Sequence, residues 1–145
     1  MQGDSEVSEF NIFYIGGIGC DDSGGGSAYG WVECRTKRTH TREVYGLSVH
    51  AAKYQALQSV VWYLPPESEA YVLTDSTILH RHFNGYRTVQ DDELEDLDRV
   101  TSQMIYDKKL SIHVDKIKRN RNPAWKLLAA FRQKDQTPET KKGDV

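Results

Sequence analysis

The chain has 145 residues, the size of one ordinary domain. Hydrophobic residues make up 38%, charged residues 28%, and mean hydropathy is -0.66, which excludes both a chain too polar to build a core and one apolar enough to live in a bilayer. The polar start Met1–Glu6 lacks the basic and then apolar stretches of a secretory signal, so a cytoplasmic location is expected; Cys20 and Cys34 are too few for a disulfide scaffold or a four-thiolate zinc site.

The net charge of -2 hides an asymmetry. Between Asp107 and Lys134 nine Lys or Arg stand against Asp107 and Asp115, a local +7 that leaves −9 for the rest. Asp91, Asp92, Glu93, Glu95, Asp96 and Asp98 supply much of that deficit. A split of this kind points to a basic face for an anionic partner and an acidic, solvated face elsewhere.

In chain order, residues 1–9 read as a flexible acidic leader. Phe10–Ile15 is β-branched and aromatic, hence a first strand. Gly16–Ser27 reads as a glycine-rich turn, Ala28–Arg35 as a second strand, and Thr39–Gly46 as a third, joined as an antiparallel meander. The period then changes: Val49, Ala52, Ala56, Val60 and Tyr63 recur at helical spacing, with Ser48 as N-cap and Pro65-Pro66 as the stop. Ala70–Thr74 is a short buried strand ending at Asp75, and Ser76–Asn84 a short helix stopped by Gly85. Leu94, Leu97, Val100, Met104 and Ile105 mark a third helix, and Leu110–Val114 alternates as a fifth strand. A basic loop, Asp115–Asn122, leads into a last helix from about Pro123, and residues 135–145 read as a disordered polar tail after a domain of residues 10–134.

The order β-β-β-α-β-α-α-β-α calls for an α/β fold with a mixed five-stranded sheet, antiparallel in its first half and parallel in its second, flanked by helices. A first hairpin centred near Ser23–Gly26 places Cys20 opposite about residue 28 and Cys34 opposite about residue 14, ~20 Å apart along the ladder. A disulfide needs Cα atoms within about 7 Å, so two free thiols are expected.

Several local words in this order resemble the type 1 ribonuclease H family, in its short form without a basic protrusion, over roughly residues 10–131. They are Tyr14-Ile15-Gly16-Gly17, the turn Asp22–Gly26, Tyr29-Gly30-Trp31, Ala52-Lys53-Tyr54-Gln55-Ala56-Leu57, Thr74-Asp75-Ser76, and Asn122-Pro123-Ala124-Trp125-Lys126-Leu127-Leu128-Ala129. The resemblance implies a ribonuclease H-like fold and, in active members, four carboxylates that hold two Mg²⁺ ions about 3.5–4 Å apart to cleave the RNA strand of an RNA–DNA hybrid. The four acid positions fall on Gly16, Lys53, Asp75 and Lys126, so only Asp75 is retained. A one-residue slip brings in Ile15, Gly17 or Trp125, none of them a ligand. The histidine that the family carries in its flexible loop has no counterpart in Asp115–Asn122.

A unit charge pair at 4 Å and an effective dielectric of 20 is worth about 4 kcal/mol, so each lysine in place of a carboxylate turns a large attraction for Mg²⁺ into repulsion. The expectation is a degenerate active site with no catalytic residues and no cofactor. Lys53 and Lys126 are expected to flank Asp75, one paired with it and the other left for a phosphate. Lys53, Lys116, Lys118, Arg119, Arg121, Trp125 and Lys126 are the candidate nucleic-acid contacts, with Trp125 as a stacking platform.

The remaining candidates are weaker. His80 and His82 lack the i, i+4 spacing of zinc ligands on a helix, and His113 reads as an exposed strand residue. Asp21-Asp22 lie beyond the first strand, the glycine-rich segment lacks the Gly-Lys-Ser/Thr of a phosphate loop, and Trp62 reads as packing on its helix. Three functions follow: a catalytically inactive domain that binds an RNA–DNA hybrid or duplex backbone, a protein-interaction module using the Asp91–Asp98 helix or the sheet edge, and a residual metal-dependent nuclease working through Asp75.

Overall fold

In the computed structural model, which describes residues 11–19, 26–84 and 92–130, apolar alternation and helical periodicity resolve into one layered sheet. The elements are β1 (Asn11–Ile18), β2 (Ser27–Glu33), β3 (Thr39–Val44), α1 (Val49–Tyr63), β4 (Glu69–Thr74), α2 (Thr77–Phe83), α3 (Asp92–Lys108) and β5 (Ser111–Lys116). A 3₁₀ turn at Arg119–Arg121 and a helix α4, described over 123–130, follow. The sheet order is β3-β2-β1-β4-β5, antiparallel across β1–β2 and β2–β3, parallel across β1–β4 and β4–β5. This is the mixed five-stranded sheet that the sequence implies. The leader, Cys20, Asp21-Asp22, the glycine turn, Gly85 and the tail lie outside the described residues.

Helix α1 forms for the reasons its sequence shows. Ser48 Oγ accepts from Ala51 N at 3.1 Å, and the apolar stripe Ala52, Ala56, Leu57, Val60 and Val61 is buried on the sheet. It packs on β1, β2 and α3. Phe13 and Ile15 of β1, Trp31 of β2 and Val72 of β4 supply the facing layer. Phe13 meets the Trp31 ring edge-on at 5.2 Å, and Trp31 Nε1 donates to Ser59 Oγ at 3.0 Å, so the one polar atom of the indole is satisfied. Tyr54 Oη is hydrogen-bonded to His82 Nδ1, which ties α2 to α1 inside the core.

Three boundaries differ from the sequence reading. Strand β1 does not turn at Gly16 but runs on to Ile18, paired with β2 throughout. The extension shifts the hairpin register by two residues: Cys34 N donates to Ile12 O at 2.8 Å, so Cys34 lies opposite Ile12 rather than residue 14. Cys34 is a free thiol; its expected fellow, Cys20, is not described. β3 stops at Val44, and Gly46 turns the chain with φ of 72°. β5 runs on to Lys116, so the basic segment starts in a strand and continues into the 3₁₀ turn.

Candidate functional site

Asp75 stands where β4 gives way to α2. Thr74 Oγ1 accepts from Ser76 N at 3.0 Å, Ser76 Oγ caps α2 by accepting from Leu79 N at 3.1 Å, and Ile117 N donates to Thr74 O at 2.8 Å. The backbone on both sides of Asp75 is therefore fixed from three directions. Its carboxylate is only 5% exposed.

Lys53 answers it. The Lys53 ammonium, 7% exposed, approaches Asp75 Oδ1 to 2.9 Å from the first turns of α1. The second cation is not Lys126 but Arg119, 64% exposed, whose Nε lies 3.9 Å from Asp75 Oδ2. Both carboxylate oxygens are buried and neither receives a hydrogen bond of good geometry among the described residues. The Lys53 contact is an ion pair between two buried groups. A carboxylate held this way depends on its counter-ions, because removal of one partner leaves a buried, uncompensated charge.

The two adjacent glycines of β1 set how closely the helices approach. They point to opposite faces of the sheet. A Cβ on Gly17 would lie 2.6 Å from Lys53 N, so α1 sits directly on the strand. A Cβ on Gly16 would lie 3.2 Å from Trp125 N and 3.3 Å from Ala124, so α4 sits on the strand from the other side. A side chain at Gly16, the first acid position of the resemblance, would press on α4 and require it to give by a few tenths of an ångström.

Asn122 anchors that second helix. Its side chain is fully buried, Nδ2 donates to Ile15 O at 2.9 Å, and Oδ1 accepts from Ala124 N at 2.9 Å. One amide thus caps α4 and fastens its start to β1, bringing Trp125 to the edge of the site. The 3₁₀ turn before it carries Arg119 toward Asp75, and Lys116 Nζ donates to Thr77 Oγ1 at 2.7 Å.

These elements enclose a cleft of about 710 Å³ lined by Asp75, Lys116, Lys118, Arg119, Asn120 and Trp125, with Ile117 at its wall. Four of the seven expected contact residues therefore come together: Lys116, Lys118, Arg119 and Trp125. Lys53 is spent on Asp75 below the cleft, and Arg121 is exposed on the turn without lining it. Lys126, expected beside Asp75, is exposed on α4 and outside the cleft lining, and the described ion pairs of Asp75 are with Lys53 and Arg119. One residue on along the helix from Trp125, its side chain leaves in a different direction.

The other candidates also find their places. His82 is buried against Tyr54, whereas His80 is half-buried, so the two face different ways. His113 is exposed on β5, 2.8 Å from Glu69 Oε2 and stacked on Tyr71. Trp62 is not a packing residue: it is 75% exposed. Asn122, Arg119 as the second counter-ion and Asn120 are the site residues that the sequence reading missed; only Asn122, as a capping residue ahead of Pro123, carries a sequence signal.

The pair of Mg²⁺ ions implied by the resemblance does not fit these residues. An ammonium already stands 2.9 Å from Asp75 Oδ1, and a hard divalent cation needs several oxygen ligands that Gly16, Lys53 and Lys126 do not offer. Among the described residues no three His, Cys, Asp or Glu side chains come together in a way that could hold a metal ion.

No family model matches the sequence, and neither does any curated protein. Solved structures do match. The RNase H1 of the halophilic archaeon Halobacterium salinarum NRC-1 superposes with a TM-score of 0.66 at 15% identity, over 79% of this chain and 89% of that one. The N-terminal RNase H domain of a Mycobacterium tuberculosis protein superposes with a TM-score of 0.63 at 20% identity, over 78% and 86%. LC11-RNase H1 in complex with an RNA/DNA hybrid superposes with a TM-score of 0.64 at 18% identity, over 77% and 88%. Sheet order, helix placement and these superpositions together give the chain a ribonuclease H-like fold.

Proposed function

We propose that this chain binds nucleic acid, as an RNA–DNA hybrid or duplex engaged through its phosphate backbone, and that it does so without metal and without cleaving it. The observation that carries the reading is the cleft in which Lys116, Lys118, Arg119 and Trp125 surround an aspartate already neutralised by Lys53. One solved structure of the same fold holds an RNA/DNA hybrid. Lysine and arginine contacts to phosphates supply affinity with little sequence readout, and an aromatic at the cleft wall adds stacking worth about 1–3 kcal/mol where a base or sugar reaches it.

The chemistry supports binding rather than turnover. Asp75 is the one acid position retained, and its negative charge is balanced internally, so the cleft presents net positive charge to a phosphate. A carboxylate paired in this way is not free to serve as a base toward water. An ammonium stands 2.9 Å from Asp75 Oδ1, and an ammonium donates a proton rather than abstracting one.

Fluorescence anisotropy with a labelled hybrid tests the reading. Binding falls steeply with salt, with a slope of about 0.9 per neutralised phosphate. Lys118/Arg119/Arg121→Ala weakens binding and lowers the slope by up to about 3. Affinity that ignores salt refutes the electrostatic account. Cleavage of the hybrid in Mg²⁺ or Mn²⁺ that is lost in Asp75→Asn makes the protein a residual nuclease instead.

A further inference from the structure

The open edge of the sheet carries a second surface that shares no lining residue with the Asp75 cleft. In the order β3-β2-β1-β4-β5, β3 is an end strand. Glu33 N donates to Arg38 O at 2.8 Å, which fixes the phase of the β2–β3 ladder. In that phase Trp31–His40 and Tyr29–Arg42 are hydrogen-bonded pairs, while Gly30–Thr41 and Val32–Thr39 are not. The backbone N–H and C=O groups of Thr39, Thr41 and Glu43 therefore point away from β2, and no other described strand pairs with them.

A groove of about 370 Å³ runs beside this edge, lined by His40 and Arg42 of β3, Gln55, Gln58 and Trp62 of α1, and Met104 of α3, with Tyr29 and Ser59 at its floor. No acid lines it. The Trp62 indole is held in place: Lys108 Nζ lies 5.8 Å from its ring centre while donating to Val61 O at 2.8 Å and Trp62 O at 2.9 Å, at the C-terminal end of α1. Residues 35–44 carry Arg35, Lys37, Arg38 and Arg42 against Glu43 alone. Just beyond them Tyr45 is 93% exposed.

We propose that β3 docks an extended acidic segment of a partner protein as a sixth strand. The backbone of the segment pairs with the outward groups of Thr39, Thr41 and Glu43, an apolar side chain lies on Trp62 and Met104, and carboxylates meet Arg42 and the Arg35–Arg38 turn. Unpaired, evenly spaced backbone donors and acceptors are a template for another peptide strand, with alternate side-chain pockets supplying specificity. A nucleic acid strand has no matching backbone pattern, so the edge favours a peptide over a second nucleic-acid track.

The test uses a short fluorescein-labelled peptide in which threonine alternates with leucine and glutamate, and a control in which lysine replaces glutamate. The full chain binds the glutamate peptide and not the lysine one. Thr41→Pro removes an N–H that faces outward and breaks no β2–β3 bond. That variant and Arg42→Glu each weaken peptide binding by at least about tenfold and leave affinity for the hybrid unchanged. If Thr41→Pro does not fold, Arg42→Glu, a surface change, decides. No binding of the glutamate peptide, equal binding of both peptides, or unchanged affinity in folded variants overturns the proposal. So does displacement of the peptide by an oligonucleotide whose binding Trp62→Ala weakens, which assigns the groove to nucleic acid.

Discussion

In the cleft, Asp75 lies buried against Lys53 at 2.9 Å with Arg119 at 3.9 Å; on β3, Arg42 stands in solvent with no acid among the described residues that line its groove. Both regions are basic, and the difference is where the counter-charge sits. In the cleft it is part of the interior, so the charges there answer to folding as much as to a ligand. At the edge the strand backbone needs only its β2 partner, so charge there is open to substitution. A carboxylate buried in this way needs a counter-charge in the interior, and here a lysine on α1 supplies it.

The largest effect should come from breaking the buried pair. Lys53→Ala leaves the Asp75 carboxylate without its close counter-ion and is expected to destabilise the protein by about 3–5 kcal/mol in urea denaturation. The double variant Lys53→Met with Asp75→Leu recovers most of that loss, because an apolar pair of similar volume carries no buried charge. Arg42→Ala at the edge stays within about 0.5 kcal/mol of the parent. Equal effects at the two places would erase the distinction drawn between them.

Gly17→Ala ranks next. Its Cβ would meet Lys53 N at 2.6 Å, a backbone atom that cannot swing aside, so α1 must move off the sheet at a cost of about 1–3 kcal/mol or more. The same crowding bears on restoring a nuclease. Gly16→Asp, Lys53→Glu and Lys126→Asp together are not expected to recover hybrid cleavage, because the first new side chain meets Trp125 N at 3.2 Å and Lys126 lies outside the cleft. Recovered cleavage in this triple variant would show that α4 yields.

An effect of similar size falls at the anchor of α4. Asn122→Ala removes the cap on Ala124 N and leaves Ile15 O without its donor, for about 1–3 kcal/mol. Because the same helix carries Trp125, hybrid affinity should fall as well, whereas the peptide at β3 should bind as before. Peptide affinity that falls in parallel would mean that the variant disturbs the whole sheet.

Much of this layout was legible in the sequence, for identifiable reasons. The α1 stripe, the Thr74-Asp75-Ser76 corner and the Asn122-Pro123 helix start are local patterns with a physical cause in capping and periodicity, and all three stand where expected. The β1 glycines misled because glycine signals a turn by its backbone freedom, whereas here it answers to close helix packing, which no single-strand pattern reveals. Arg119 reaches Asp75 and Lys126 makes no described ion pair with it, because the direction in which a turn or a helix start aims its side chains is not fixed by spacing alone. Trp62 escaped for a related reason: it follows a buried stripe, yet it lies on the outer face of α1, where the indole stays in solvent while Val60, Val61 and Leu64 around it are buried.

On the proposed reading, the cation-paired Asp75 site binds a phosphate backbone in place of metal. The direct measurement is anisotropy of a labelled RNA–DNA hybrid across a salt series, once with a chelator and once with Mg²⁺, with the product checked on a denaturing gel. The account predicts binding that survives the chelator, weakens linearly in log affinity against log salt, and leaves the hybrid intact. Binding that appears only with Mg²⁺, or a cleaved RNA strand, would contradict it.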